Sequence, residues 1–195
     1  MAELDSSFPL LVSLAAHDLR TPLATVHGFA QTMIRMGDLG EPKQRYMEMI
    51  DTASRQLAEL LDELGTAARI ESGRYEPALQ PVETLGLAQS AAAQLSEDRV
   101  RVSGEGAEVR VDPVAIERGI SALAQAALRH GGLEEVSLHV EGATLRLSPV
   151  TASSGPVVLG EELRDLGAAV AVRVIRALGG SVDLDGDVVL ITLPE

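Results

Sequence analysis

The chain has 195 residues, 46% of them hydrophobic and 23% charged, which suits one large or two small soluble globular domains. A net charge of −13 and only 2% aromatic residues exclude a partner held by phosphate-backbone attraction or base stacking, so no nucleic acid is expected. Zero cysteines exclude disulfides and thiolate metal sites.

No apolar run approaches the roughly 18 residues of a bilayer span, and no export signal is evident. The expectation is no membrane and a cytoplasmic location. The initiator-like Met1 suits a complete small protein, with a piece of a longer sensor protein as the open alternative, and Met1 to Ser7 is expected to be a frayed end.

Residues 8–36 carry apolar side chains at Val12, Ala16, Leu19, Leu23, Val26, Ala30 and Met33, alternating steps of four and three. That is the seam of a coiled-coil-like helix. GDLGEP at 37–42 is a stop followed by a fresh start. A second seam follows at Tyr46, Ile50, Ala53, Leu57, Leu60, Leu64 and Ala67, ending near Gly73. Two long helices with a short connection predict an antiparallel hairpin. Each helix of such a hairpin buries one stripe against the other, so a two-fold homodimer forming a four-helix bundle would complete the core.

Beyond YEPALQP the rhythm changes. The pattern predicts a helix at 84–95, strands near 100–103 and 108–111, a helix at 113–130, strands near 135–141 and 143–148, and a helix at 159–178. Asp185-Gly186 then marks a closing hairpin within SVDLDGDVVLITL. The fold class is α+β, with a mostly antiparallel sheet covered by helices on one face. The expected domains are 1–76 and 77–195.

One stretch of the first helix breaks a local rule. In LAAHDLRTPLATVHG, Pro22 removes the helical donor of the Asp18 carbonyl, at a cost on the order of 3 kcal/mol. The neighbouring His17 lies one position off the seam and should face solvent. Thr21 lies one turn later on the same face. A carboxylate at Asp18 that holds one imidazole N–H fixes the tautomer and presents the other nitrogen as a nucleophile. Thr21 could orient a water. Residue by residue, a surface histidine beside a salt-bridging Asp18–Arg20 stretch explains as much, but leaves Pro22 unexplained.

HDLRTPLATVHGFAQTM resembles the H-box of bacterial histidine kinases, in which the histidine is followed by an acid, Leu, Arg, Thr or Asn, Pro and Leu. The resemblance continues through QRYMEMIDTASRQLAELLDELGTAARIESGR, which is similar to the second helix of that family's dimerisation and phosphotransfer domain, and it covers residues 8–74. It implies that His17 is the phosphoacceptor, Asp18 the acid/base partner, and Thr21 the residue that positions water in the hydrolytic reverse reaction. Leu14, Arg20 and Ala24 would dock a receiver domain.

The C-terminal half resembles a degenerate form of the family's GHKL-type ATPase domain. The helix from Asp112 to His130 aligns with the Mg²⁺-binding helix N-L-x-x-N-A, yet its asparagine positions are Ala122 and Ala126. Alanine offers no oxygen to a hard cation. After ATLRLS, the adenine-reading D-x-G-x-G loop is replaced by PVTASSG, and the lid region 149–166 has only 18 residues. The glycine motif before the last helix is reduced to Gly167.

The resemblance is therefore to histidine phosphotransferases derived from histidine kinases. It implies phosphoryl exchange between response-regulator receiver aspartates and His17 without ATP, with an upstream hybrid histidine kinase as an optional source. No cofactor is expected on this chain, since the receiver would bring Mg²⁺. A non-catalytic pseudokinase scaffold and a dedicated response-regulator phosphatase are the rival readings. His130 is assigned to the dipole of its helix end, His27 to solvent or bundle packing, and His139 to an exposed sheet position.

Overall fold

The structure, a computed structural model, describes residues 7–37, 40–95 and 99–194. The chain forms two compact units, Met1–Tyr75 and Glu76–Glu195. The expected frayed end lies outside the described residues except for Ser7, which opens the first helix.

The first unit is a hairpin of α1 (Ser7–Met36) and α2 (Glu41–Glu71). α1 continues through Pro22 without a break in its assignment. α2 opens with Pro42 in its first turn, where the missing N–H has no helical partner to lose. It closes at Gly73, whose φ of +67° is left-handed. The Arg74 N–H then reaches back to the Arg69 carbonyl at 2.8 Å, the Schellman arrangement that a glycine at this position permits.

The hairpin corrects the seam reading. On α2, the residues turned from solvent are Gln44, Met47, Asp51, Ser54, Ala58, Leu61, Gly65 and Ala68, a heptad rhythm offset from the one read in the sequence. Asp51, Ser54, Gly65 and Ala68 are fully buried. Of the sequence seam, Tyr46, Ile50, Ala53, Leu57, Leu60 and Leu64 are exposed and Ala67 is half-buried. On α1 the seam divides: Ala16 and Ala30 are buried, while Leu19, Val26 and Met33 face outward. Small residues bring the two backbones together, as Gly65 shows: a Cβ added there would lie 3.9 Å from the Ala16 methyl. The larger apolar side chains form a second stripe that nothing in this hairpin covers. Hydrophobicity alone ranked the stripes in the wrong order, because close helix approach rewards small side chains over large ones.

The second unit is built on a five-stranded sheet, ordered β2-β4-β5-β7-β6. Its strands are β2 (Val100–Gly106), β4 (Val136–Gly142), β5 (Thr144–Ser148), β6 (Ser181–Asp185) and β7 (Val188–Thr192). Only β2–β4 is parallel. Leu138 pairs with Leu147 and Val140 with Leu145, while Leu145 pairs with Ile191 and Leu147 with Val189, so one face is an unbroken aliphatic surface. The helices α3 (Thr84–Ala93), α4 (Pro113–Gly131) and α6 (Leu166–Ala177) contribute to the core that covers it. The Asp185-Gly186 turn forms as read, with Gly186 at φ +63°.

Three elements differ from the sequence reading. A short strand β1 (Gln80–Glu83) pairs antiparallel with β3 (Glu108–Val111) in a separate two-stranded sheet. Pro81 and the four-residue length hid it, since proline is confined to edge strands. β2 runs on through Gly104 to Gly106, past residue 103 where the sequence reading ended it. At φ +107° Gly104 lies so close to β4 that a Cβ would sit 2.1 Å from the Val140 carbonyl oxygen.

The expected helix at 159–178 is instead a single turn, α5 (Gly155–Val158), a loop, and then α6. Gly160 at φ +68° ends the turn, and the Asp165 carboxylate accepts from the Ala168 N–H at 3.1 Å to start α6.

Candidate functional site

On α1, His17, Arg20, Thr21, Ala24 and Thr25 line one open recess. Their spacing of three and four residues puts them on one helical face. His17 is exposed, as the sequence reading expects. Thr25 was not singled out there, although its place one turn after Thr21 was the available signal. Its hydroxyl donates to the Thr21 carbonyl at 3.2 Å, the back-bond to the residue four before it that a helical threonine makes. The backbones of Leu14 and Asp18 belong to α1, but their side chains lie outside the described residues.

Arg20 reaches across to α2, where its Nη2 donates to Asp62 Oδ1 at 2.5 Å. Both side chains are about half exposed (43% and 50%). Among the described residues, Arg20 thus has a carboxylate partner 42 residues away in sequence.

A second polar cluster lies deeper in the hairpin. Asp51, 4% exposed, meets His27 Nδ1 at 3.2 Å and also pairs with Arg55. His27 therefore packs inside the hairpin, tied to α2, rather than in free solvent.

In the second unit, the aligned asparagine positions sit on α4. Ala126 is fully buried within the core, and Ala122 packs against that core partly buried. The loop that follows β5 folds over this end of α4. Val150, Val157 and Val158 are buried, and Ser153 Oγ donates to the His130 carbonyl at 3.1 Å. Ser154, fully buried, has its hydroxyl 3.0 Å from Thr151 Oγ1 and accepts from the Thr151 N–H at 3.0 Å.

These residues do not fit a magnesium–nucleotide group. The helix positions carry no oxygen, the loop carries no acid, and hydroxyls in the loop bond to the protein itself. Among the described residues, no cluster of three His, Cys, Asp or Glu could hold a metal ion.

His130 requires a correction. Its Nε2 lies 3.1 Å from Asp165 Oδ2, and Arg129 Nη1 donates to the same oxygen at 3.2 Å. The imidazole is therefore explained by an inter-helix pair with the α6 cap as well as by the dipole of its own helix. Asp165, the cap of α6, joins α4 to α6. His139 is exposed in β4, as expected, 3.0 Å from Ser103 Oγ.

Residues 10–73 match the His Kinase A (phospho-acceptor) domain. Over 63 residues the chain is 35% identical to the probable sensor histidine kinase TcrY of Mycobacterium tuberculosis, covering 32% of this chain and 13% of that protein. Over 84 residues it is 31% identical to the circadian input-output histidine kinase CikA of Synechococcus elongatus, covering 42% of this chain and 11% of that one. The matched segments are thus small parts of these curated relatives.

Among solved structures, full-length ShkA in complex with AMPPNP superposes with a TM-score of 0.68 at 20% identity, covering 94% of this chain and 44% of that one. The histidine kinase AdeS of Acinetobacter baumannii superposes at 0.58 and 20% identity, covering 92% and 98%. The first unit is therefore similar to the His Kinase A domain over nearly its whole length. The chain as a whole has the α+β fold of histidine kinases.

No described helix is long and apolar enough to cross a membrane.

Proposed function

We propose that the protein is a histidine phosphotransferase of a two-component phosphorelay, carrying phosphoryl groups between receiver aspartates and His17 without consuming ATP. The observation that carries this reading is a contrast between the two units. His17 is exposed in a recess with Arg20, Thr21, Ala24 and Thr25, whereas the nucleotide positions of the second unit are alanines, one of them sealed in the core.

In the transfer, the unprotonated imidazole nitrogen of His17 attacks phosphorus of the receiver's aspartyl phosphate. The new N–P bond forms as the bond to the carboxylate oxygen breaks, and the aspartate leaves as a carboxylate. The other ring nitrogen keeps its proton, which a carboxylate at Asp18 would hold. The receiver supplies Mg²⁺ for the departing charge. Thr21, one turn on from His17, would hold a water that hydrolyses the aspartyl phosphate instead.

The active form would be a homodimer. The exposed stripe of Leu57, Leu60 and Leu64 on α2, with Leu19 and Val26 on α1, supports burial against a second copy as a four-helix bundle. The recess beside that stripe would dock the receiver, with Ala24 providing a flat floor and Arg20 a charged edge.

The test is to mix the chain with a receiver bearing radiolabelled aspartyl phosphate, with His17→Ala in parallel. Label is expected on the wild-type chain and not on the variant. Rapid phosphate release that depends on Thr21 would instead identify a phosphatase. A label lifetime on the receiver unchanged by the chain would leave only a scaffold.

A further inference from the structure

Arg20 and Asp62 form the ion pair nearest the proposed phosphoacceptor, and it is poorly suited to a structural role. Both side chains are about half exposed, at 43% and 50%. Exposed pairs contribute little to stability because water and salt screen them. The hairpin is already closed by Ala16, Ala30, Ser54, Gly65 and Ala68.

What sets this pair apart is its position. Arg20 lines the same recess as His17, three residues on, close enough for its guanidinium to meet a group carried on the imidazole. It uses one nitrogen, Nη2, on Asp62. A guanidinium has five N–H donors in a planar fork matched to phosphate oxygens.

We infer that Asp62 is the resting counter-ion of Arg20 and competes with the phosphoryl group on His17 for its guanidinium, thereby setting how much phosphate the histidine holds. This inference rests on the phosphotransfer reading and adds a residue on α2 that acts on the site through Arg20. Bare His17 leaves Arg20 on Asp62. Once the N–P bond has formed, a doubly negative group lies beside Arg20, and the guanidinium turns to it or bridges both anions. Asp62 then weakens phosphohistidine in two ways, by holding back its cation and by repelling its charge. The pair keeps phosphohistidine from becoming a sink, as a carrier that must give up its phosphoryl group requires.

The two members of the pair therefore act with opposite sign, which a mere clamp between helices would not do. The experiment measures the equilibrium partition of label between a receiver aspartate and His17. Asp62→Asn is expected to shift it about two- to fivefold toward phosphohistidine, the size of a screened ion pair. Arg20→Gln is expected to shift it at least as far toward the receiver, since it removes the cation and leaves Asp62 unbalanced. Arg20→Lys, which keeps the charge and loses the planar fork, should shift it toward the receiver by less than Arg20→Gln does. Raising the salt concentration should shrink all three shifts.

If Asp62→Asn and Arg20→Gln move the partition in the same direction, or neither moves it while the wild type carries label, the inference is wrong and phosphotransfer stands. If the wild type carries no label at all, both fail together.

Discussion

Placing asparagine at position 126 gives the sharpest test of the proposal that the second unit takes no nucleotide. Ala126 has no exposed surface and sits in the core cluster with Leu123, Ala127 and Leu128. An Asn there carries an amide with no partner provided for it, at a cost of about 1–3 kcal/mol. Its extra heavy atoms also overpack a filled site, for about another 1–3 kcal/mol. The expected loss is about 2–6 kcal/mol, against less than about 1 kcal/mol for Ala122→Asn, whose partly buried position lets the amide reach water.

At a typical urea slope of about 2 kcal/mol/M, Ala126→Asn lowers the midpoint by about 1–3 M. The chain has no Trp, and its two tyrosines, Tyr46 and Tyr75, lie in the first unit. Amide hydrogen exchange of α4 and the sheet therefore serves better than fluorescence. A loss below about 0.5 kcal/mol would refute the reasoning, because position 126 would then have room or a hidden polar partner. Binding of magnesium–ATP by Ala122→Asn/Ala126→Asn would refute it more directly, since it would mean that the cavity persists and only the ligands were missing.

The outward stripe gives a second expectation. Leu57 and Leu60 are 52% and 47% exposed in the single chain. Burying the remaining half of each, twice across a two-fold axis, contributes about 4 kcal/mol, so Leu57→Glu/Leu60→Glu should weaken dimerisation about a thousandfold. Analytical ultracentrifugation reads this, and a variant with unchanged mass would place the interface elsewhere. Asp165→Ala removes the α6 cap together with both contacts to α4. It should cost about 2–4 kcal/mol in thermal or urea unfolding, and Asp165→Asn, which can still cap, should cost less.

Much of the candidate site was legible because its signals are local. His17, Thr21 and Ala24 fall on one helical face by spacing alone, and Pro22 marks the place by breaking a rule that a structural helix would keep. Arg20 was legible as a docking residue and beside Asp18 but not as the partner of Asp62, which is 42 residues away and brought to it only by chain reversal. His130 shows the same limit: its own sequence end explains a charge, while Asp165 arrives from another helix.

The sequence by itself determined the elements with strong periodicity and strong punctuation: two long helices split by GDLGEP, the α4 amphipath, and the Asp185-Gly186 hairpin. It also determined that Ala122 and Ala126 stand on the α4 helix, because residue identity needs no fold. Tertiary structure decided which apolar stripe closes the hairpin, where α6 begins, and that β2 continues through Gly104 beside Val140. Each of these depends on how near one backbone comes to another. Side-chain size and glycine geometry control that approach, and it can be judged only when both partners are in place.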